Sequence, residues 1–215
     1  MLIIAKKILA EYYYIYDPDH RKNPGGDYVK TRRGWSRGKG TGGRGKPVYP
    51  EMNDSQKNLH EIARNGKNRI RREIAQNPDT HMKTLDKLSS LSDDEIRVNV
   101  AKNPNTHPAT LKKMTDDRNI SVLMSVAKHK NSSQRTLKKL SVHKSEHVRA
   151  GVASNTKTYM TTLDRLSKDR NPVVRESVAG NPHTHKKTLK NLLNDERKLV
   201  ANIAMKNLEN RRKKH

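Results

Sequence analysis

The apolar residues of this chain recur at a fixed interval over most of its length. An alanine that follows valine or isoleucine marks each recurrence. Five of these alanines lie 26 positions apart and a sixth follows after 25: Ala75, Ala101, Ala127, Ala153, Ala179 and Ala204. A leucine ten residues after each of the first five keeps the same step, from Leu85 to Leu189. A period of this length predicts stacked supersecondary units.

Each unit is predicted to hold two short helices. Apolar residues stand five places and one place before the anchor alanine, which puts them on one stripe of a helix. Asn-Pro then ends the helix in three units, at 77–78, 103–104 and 181–182. A hydroxyl residue follows in every unit as the predicted N-cap of a second helix that carries a T-L-x-x-L motif: Thr80, Thr106, Ser132, Thr158 and Thr184.

Helices of about two turns are marginal in isolation and persist when neighbouring pairs bury their apolar stripes against each other. The pattern therefore predicts an all-α fold, an α-solenoid of about five 26-residue two-helix repeats with a flexible Gly/Arg/Lys-rich N-terminal arm. We divide the chain into an N-terminal helix at 1–20, a basic Gly-rich arm at 21–52, the solenoid at 53–207 and a basic tail at 208–215. The N-terminal helix is apolar on two sides and is predicted to pack on the solenoid or on a partner.

Two stretches, IRVNVAKNPNTHPATLKKMTDD and VVRESVAGNPHTHKKTLKNLLND, resemble leucine-rich repeat variant units and, more loosely, HEAT-like repeats. The resemblance extends from about Ile70 to Met205 and implies a solenoid of alternating α-helices and shorter helices. The third unit departs from it, because His129-Lys130 replaces Asn-Pro. HEAT-like units often pair an Asp with an Arg six residues later, and Asp169 and Arg175 fit that spacing.

The charge of the chain predicts a polyanionic partner. Lys and Arg number 46 against 22 Asp and Glu, a net charge of +24. A field of this size attracts polyanions, of which nucleic acid is the commonest, whereas a membrane surface usually requires an apolar face as well. The chain has no cysteine, which excludes disulfides and zinc–thiolate sites and favours a cytoplasmic location. No segment is predicted to span a membrane.

The N-terminal arm is glycine-rich and cationic, with eight of the eleven glycines between Gly25 and Gly45. Such sequence buries too little surface to offset its ordering entropy. Cations and scattered aromatic rings suit contact with phosphates and bases, and the alternative is a plain linker or a protein-docking arm. The candidate nucleic-acid-binding residues here are Lys30, Arg32, Arg33, Trp35, Arg37, Lys39, Arg44 and Lys46.

Two rows of cations recur inside the repeats. Equivalent positions in a solenoid line one surface, so both rows could follow a phosphate backbone. The first row is Arg71, Arg97, Arg149 and Arg175, and the second is Lys87, Lys113, Lys139 and Arg165. The alternative for the arginines is a structural role, bonding carboxylates or carbonyls of neighbouring repeats. The alternative for the lysine row is a solubilising face.

The sequence contains no recognisable catalytic motif, and it predicts no cofactor. His81, His107 and His185 recur one repeat apart, so they cannot converge on one metal ion and are expected to pack in turns. We therefore predict a non-enzymatic protein that binds DNA or RNA. A protein–protein scaffold and a phage or mobile-element structural protein are the alternatives, and a HEAT-like DNA glycosylase is a third. The sequence leaves the oligomeric state open.

Overall fold

A computed structural model describes residues 28–31, 34–37 and 49–213 of the 215-residue chain. The described residues contain twelve α-helices arranged in tandem, which confirms the predicted helical-repeat solenoid. Every predicted unit holds two helices joined by a five-residue loop. The N-terminal helix predicted at 1–20, most of the predicted arm and the last two residues of the tail lie outside the described residues.

The first helix of each unit has nine residues: α2 (Asn68–Gln76), α4 (Asp94–Lys102), α6 (Ile120–Lys128), α8 (Glu146–Ser154) and α10 (Pro172–Gly180). The second helices are shorter: α3 (Met82–Leu88), α5 (Pro108–Lys113), α7 (Gln134–Leu140), α9 (Met160–Leu166) and α11 (Lys186–Leu192). A 3₁₀ turn at Met114–Asp116 continues α5. Helix α1 (Asp54–Asn65) precedes the repeats, and α12 (Lys198–Arg212) follows them.

The hydrophobic core is a continuous stack of the predicted apolar rows. The anchor alanines from Ala75 to Ala179 and the leucines from Leu85 to Leu189 are at most 1% exposed. Each first helix packs directly against the first helix of the next unit. Burial of one Leu or Val side chain contributes about 1.5–3 kcal/mol, so the stack supports helices that are too short to form alone.

The predicted N-caps are displaced by one residue. The hydroxyls of the predicted caps donate instead to a carbonyl six residues earlier, as Thr158 does to Val152 O at 2.6 Å. The same bond recurs for Thr80, Thr106, Ser132 and Thr184. These hydroxyls therefore satisfy a carbonyl at the end of the first helix. The second helices begin after the following residue: His81, His107, Ser133, Tyr159 and His185.

The last helix keeps the 26-residue register, contrary to the 25-residue step predicted at Ala204. Val200, 26 residues after Val174, is fully buried, whereas Leu199 is 48% exposed. Asn207 likewise repeats the bonds of Asn181 in the preceding unit. In this register Ala204 takes the place of Val178 and is buried, whereas the anchor position falls on the exposed Met205. Helix α12 also continues to Arg212, so residues 208–212 of the predicted tail are helical.

The described part of the N-terminal arm departs from an all-helical chain. Strands β1 (Tyr28–Thr31) and β2 (Gly34–Arg37) form an antiparallel hairpin, with Tyr28 opposite Arg37. Tyr, Val, Thr and Trp favour extended backbone, and these strands contain all four. The prediction of a flexible arm rested on its glycine content and did not weigh these residues. Nearer the solenoid, the ring of Tyr49 packs edge-on against His107, with 5.4 Å between ring centroids.

Candidate nucleic-acid interface

A ladder of asparagine side chains fixes the loops between the two helices of each unit. Asn181 Nδ2 donates to Ala153 O at 2.7 Å and to Asn155 O at 3.0 Å in the preceding unit. Asn103, Asn155 and Asn207 make the equivalent pair of bonds. The amide satisfies carbonyls that a helix end leaves without partners. Side chains on successive loops are therefore held in register.

In the third unit His129 replaces the ladder asparagine and takes over part of its function. Its Nε2 donates to Asn103 O at 2.8 Å, and its Nδ1 accepts from the Asn131 amide at 2.9 Å. These bonds require the neutral ring with its proton on Nε2. Burial lowers the pKa of His129 and stabilises that neutral form. The solenoid therefore remains continuous through the third unit, although His129-Lys130 replaces Asn-Pro there.

The arginine row is bonded inside the solenoid, and its contacts favour the structural alternative. Arg149 donates Nε and Nη2 to Asp169 at 2.6 and 2.9 Å, and Nη1 to His143 O and Lys144 O. Arg175 bonds Asp195, and Arg97 bonds Asp117, in the same way. The partner Asp lies twenty residues later, just after the second helix of the same unit. The predicted Asp169–Arg175 pairing is wrong at the side-chain level, because Arg175 bonds only the backbone oxygen of Asp169.

The Arg–Asp pair does not occur in the first and third units. In the third unit a buried Leu123 occupies the arginine position and His143 occupies the aspartate position. In the first unit Leu91 replaces the aspartate, and Arg71 turns to the carbonyls of Ala63 and Arg64 in α1, each at 2.9 Å. All four arginines of the predicted row thus have structural partners.

The lysine row lies on the exposed side of the second helices, and it is only partly available to a polyanion. Lys113 Nζ is 2.8 Å from Asp86 Oδ1, and Lys139 Nζ is 2.5 Å from Asp116 Oδ1. Arg165 donates to Ser141 in the preceding unit. Lys87 is exposed and has no ion pair with a described carboxylate. The Lys139–Asp116 pair is exposed on both sides and contributes little to stability, whereas Asp86 is largely shielded from solvent.

Further exposed lysines, which the sequence analysis did not select, stand beside this row. Lys112, Lys138 and Lys190 occupy one position of three second helices, and Asp164 interrupts the series in the fourth unit. The 26-residue register alone could have identified them. Bonds between neighbouring second helices, such as Thr110 Oγ1 to Asp86 Oδ1 at 2.8 Å, hold these helices side by side. The cations of successive units therefore share one surface.

The loops joining first to second helices form an edge that carries no carboxylate from the second unit to the fifth. The residues of these loops are NPNTH at 103–107, HKNSS at 129–133, NTKTY at 155–159 and NPHTH at 181–185. Lys130 is exposed and Lys157 is half-buried. Burial lowers the pKa of Lys157, and the neighbouring charge of Lys130 lowers it further. The Asn155 amide donates to His129 O at 3.1 Å, so the loops that carry these two lysines lie side by side.

The recurring histidines are helix caps. His81, His107 and His185 each accept, through Nδ1, the amide two residues later, at 3.2 Å. Burial lowers the pKa of His81 and of His107 to about 4, so both are neutral acceptors at physiological pH. We predicted that these histidines pack in turns, and the structure shows more specifically that they cap the second helices. In the part of the chain that the structure describes, no three His, Asp or Glu side chains are grouped to hold a metal ion.

Of the candidate residues in the arm, Lys30 lies in β1, and Trp35 and Arg37 lie in β2. Arg32, Arg33, Lys39, Arg44 and Lys46 lie outside the described residues, so a role for the arm stays a prediction. Across residues 28–31, 34–37 and 49–213, no helix has the length and apolarity needed to cross a bilayer.

Comparison with known proteins identifies the fold alone. No protein-family model matches the chain, and no curated protein is similar to it. A solved leucine-rich repeat variant, described as having a novel repetitive protein structural motif, matches with a TM-score of 0.55 and 19% identity. That match covers 71% of this chain and 60% of the other, so the chain spans less than two thirds of that protein. The predicted resemblance to leucine-rich repeat variants is thereby confirmed for the helical-repeat architecture.

Two more distant structures are designed proteins. An engineered protein matches with a TM-score of 0.44 and 15% identity, over 74% of this chain and 98% of that one. A designed armadillo repeat protein matches with a TM-score of 0.36 and 16% identity, over 72% of this chain and 91% of that one. Similarity at this level supports no inference about partners.

Proposed function

We propose that this chain is a non-enzymatic helical-repeat protein that binds nucleic acid through phosphate contacts on its basic surface. The observation that carries the proposal is how the charges are paired. The carboxylates of the repeats are largely bonded to arginines, as in Arg97–Asp117, Arg149–Asp169 and Arg175–Asp195. From residue 94 to residue 213, only Lys113 and Lys139 among the lysines form an ion pair with a described carboxylate.

Much of the excess positive charge therefore resides on exposed lysines. Buried Arg–Asp pairs hold the solenoid together, and their hydrogen bonds raise the pKa of each of these arginines. The exposed lysines remain available to a polyanion, which gains affinity by releasing the counterions condensed on its phosphates. A chain with a net charge of +24 presents such a surface along successive repeats.

A direct binding measurement tests this proposal. Protein purified after nuclease treatment in high salt is titrated into fluorescently labelled single-stranded DNA, RNA and duplex DNA, and anisotropy is recorded. The control is a labelled acidic polypeptide with the same net charge as the polynucleotide, titrated in the same way. We expect binding of at least one polynucleotide with a Kd in the micromolar range or tighter in low salt. No binding to any of the three polynucleotides would refute the proposal.

A protein-interaction scaffold is the second candidate, and one observation favours it. Val173 in α10 and Leu199 in α12 occupy equivalent positions and are both exposed, which gives the C-terminal end a small apolar surface. A scaffold would retain its partner after nuclease treatment and would lose it on Val173→Lys or Leu199→Lys substitution. A nucleic-acid binder would instead release material absorbing at 260 nm on nuclease treatment, and both lysine variants would still bind polynucleotide.

A further inference from the structure

The loop of the fourth unit, residues 155–159, departs twice from contacts that other units make. At the cap position His81, His107, Ser133 and His185 accept a backbone amide through their side chains, whereas Tyr159 makes no side-chain capping bond. Loss of a cap costs about 0.5–2 kcal/mol. The Tyr159 ring is 58% exposed, so burial of the ring does not offset that cost.

The second departure is at Lys157. The residues at its place in the two preceding units, Asn105 and Asn131, donate their amides to carbonyls of the loop before. Lys157 replaces the asparagine with a half-buried cation, in a loop that is hydrogen-bonded to the loop of Lys130 through Asn155 and His129 O. Positions that break a local rule without a compensating contact are where functional residues are expected. Both departures occur within three residues of the same loop.

The surroundings of this loop are suited to an anion with an attached aromatic group. The loops on either side, at 129–133 and 181–185, contain no Asp or Glu. Tyr159 is the only Phe, Trp or Tyr after Tyr49 in the sequence. The adjacent Met160 is 54% exposed and adds an apolar contact surface. Cations and an exposed ring close together are the usual elements of single-strand recognition.

We propose that the loop edge of the third and fourth units binds single-stranded polynucleotide, with a phosphate held between Lys130 and Lys157 and a base stacked on Tyr159. This inference rests on the proposed function and adds a strand type and a location to it. A base paired inside a duplex cannot present its face to Tyr159, so the site favours single strands over duplexes. A phosphate between the two ammonium groups would relieve their mutual repulsion.

Substitution of Tyr159 by serine separates binding from folding. Serine caps α7 in the third unit through a bond from the Thr136 amide to Ser133 Oγ, and Thr162 is the equivalent residue in the fourth. Tyr159→Ser should therefore raise the urea midpoint of unfolding while weakening binding to a labelled oligo(dT) or oligo(U) of about 20 nucleotides. We expect the affinity to fall about tenfold, because base–aromatic stacking is removed. Tyr159→Phe retains the ring and should bind like the wild type.

Neutralisation of the two lysines provides the second test. Lys130→Gln combined with Lys157→Gln should weaken oligo(dT) binding and lower the slope of log K against log salt by about 0.7 for each phosphate that the variant no longer neutralises. The matched control is Lys112→Gln combined with Lys138→Gln, which removes the same charge from the second helices. The control should reduce affinity less.

The outcomes distinguish this inference from the function on which it rests. If the wild type binds and both the Tyr159→Ser and the loop-lysine variants bind as tightly as it does, the loop site is wrong and the proposed function stands. An equal reduction in affinity for the two lysine pairs, with no effect of Tyr159→Ser, would also overturn the loop site. If the wild type binds neither single strands nor duplex, the proposed function itself fails.

Discussion

The asparagine ladder makes a sharp prediction at Asn181. Its side chain is 2% exposed; its Nδ2 donates to two carbonyls of the preceding unit, and its Oδ1 accepts the His183 amide at 2.8 Å. Asn181→Ala leaves these three groups without that partner. At about 0.5–1.5 kcal/mol for each hydrogen bond, we expect the free energy of unfolding to fall by about 2–4 kcal/mol.

Asn181→Asp tests the direction of the bonds, because aspartate has the shape of asparagine but no donor. At pH 7 its carboxylate would face the carbonyls of Ala153 and Asn155, so we expect a destabilisation at least as large as that of Asn181→Ala. Burial beside these oxygens raises the pKa of the new carboxyl above its unfolded value. Stability relative to Asn181→Ala is therefore recovered as the pH falls from 7 to 5, since the protonated form can donate one hydrogen bond.

The assay is equilibrium unfolding in urea, followed by far-ultraviolet circular dichroism and extrapolated linearly to water. Asn191→Ala, which alters an exposed amide in α11, is the control and should change stability by less than about 0.5 kcal/mol. The reasoning fails if Asn181→Asp is as stable as the wild type at pH 7, or if Asn181→Ala resembles the control.

Substitutions at His129, His81 and Arg149 test other contacts of the solenoid. His129→Asn restores the residue of the other units and should alter the free energy of unfolding by less than about 1 kcal/mol, whereas His129→Ala should cost about 2–3 kcal/mol; equal effects in urea melts would contradict its role in the ladder. His81 is neutral when folded, with a pKa of about 4 against 6.5, so its contribution is complete above pH 6.5 and is lost as the pH falls toward 4. His81→Asn keeps a capping acceptor but has no group that titrates in this range. When the pH is lowered from 7.5 to 5, the free energy of unfolding should therefore fall by about 2 kcal/mol less in this variant than in the wild type. Parallel pH profiles of the two proteins would refute this. Arg149→Lys keeps the charge but loses the forked contact with Asp169, at an expected cost of about 2 kcal/mol in urea melts, whereas the exposed Arg170→Lys should cost under about 0.5 kcal/mol; similar costs would contradict the pairing.

The sequence was sufficient to predict the solenoid, because apolar periodicity is set by the same burial that stacks the units. Helix ends were less accurate, since threonine and histidine at adjacent positions can both cap a helix. Thr80 bonds the carbonyl behind it, and His81 takes the cap instead. In the last helix, Val200 and not Leu199 is buried, because the helix keeps the 26-residue register of its neighbour and Ala204 takes the place of a valine in that register.

Side-chain pairing was harder to predict than position. The arginine row was placed correctly, but its partners lie twenty residues ahead, and only the fold of each unit reveals that Arg149 reaches Asp169 past the second helix. Each loop on its own gave no indication of the site that we propose at Lys130 and Lys157. Alignment of the five loops would have revealed it, because only the fourth places lysine and tyrosine where the others place polar or capping residues.

The salt dependence of polynucleotide binding tests the central claim most directly. Exposed lysines that contact phosphates must release counterions, so log K for a labelled oligo(dT) should fall linearly with log salt. Contact with about three to five phosphates predicts a slope of about −2 to −4 for a single strand. A slope near zero, or no measurable binding in low salt, would contradict the claim that this solenoid aligns its cations to hold a phosphate backbone.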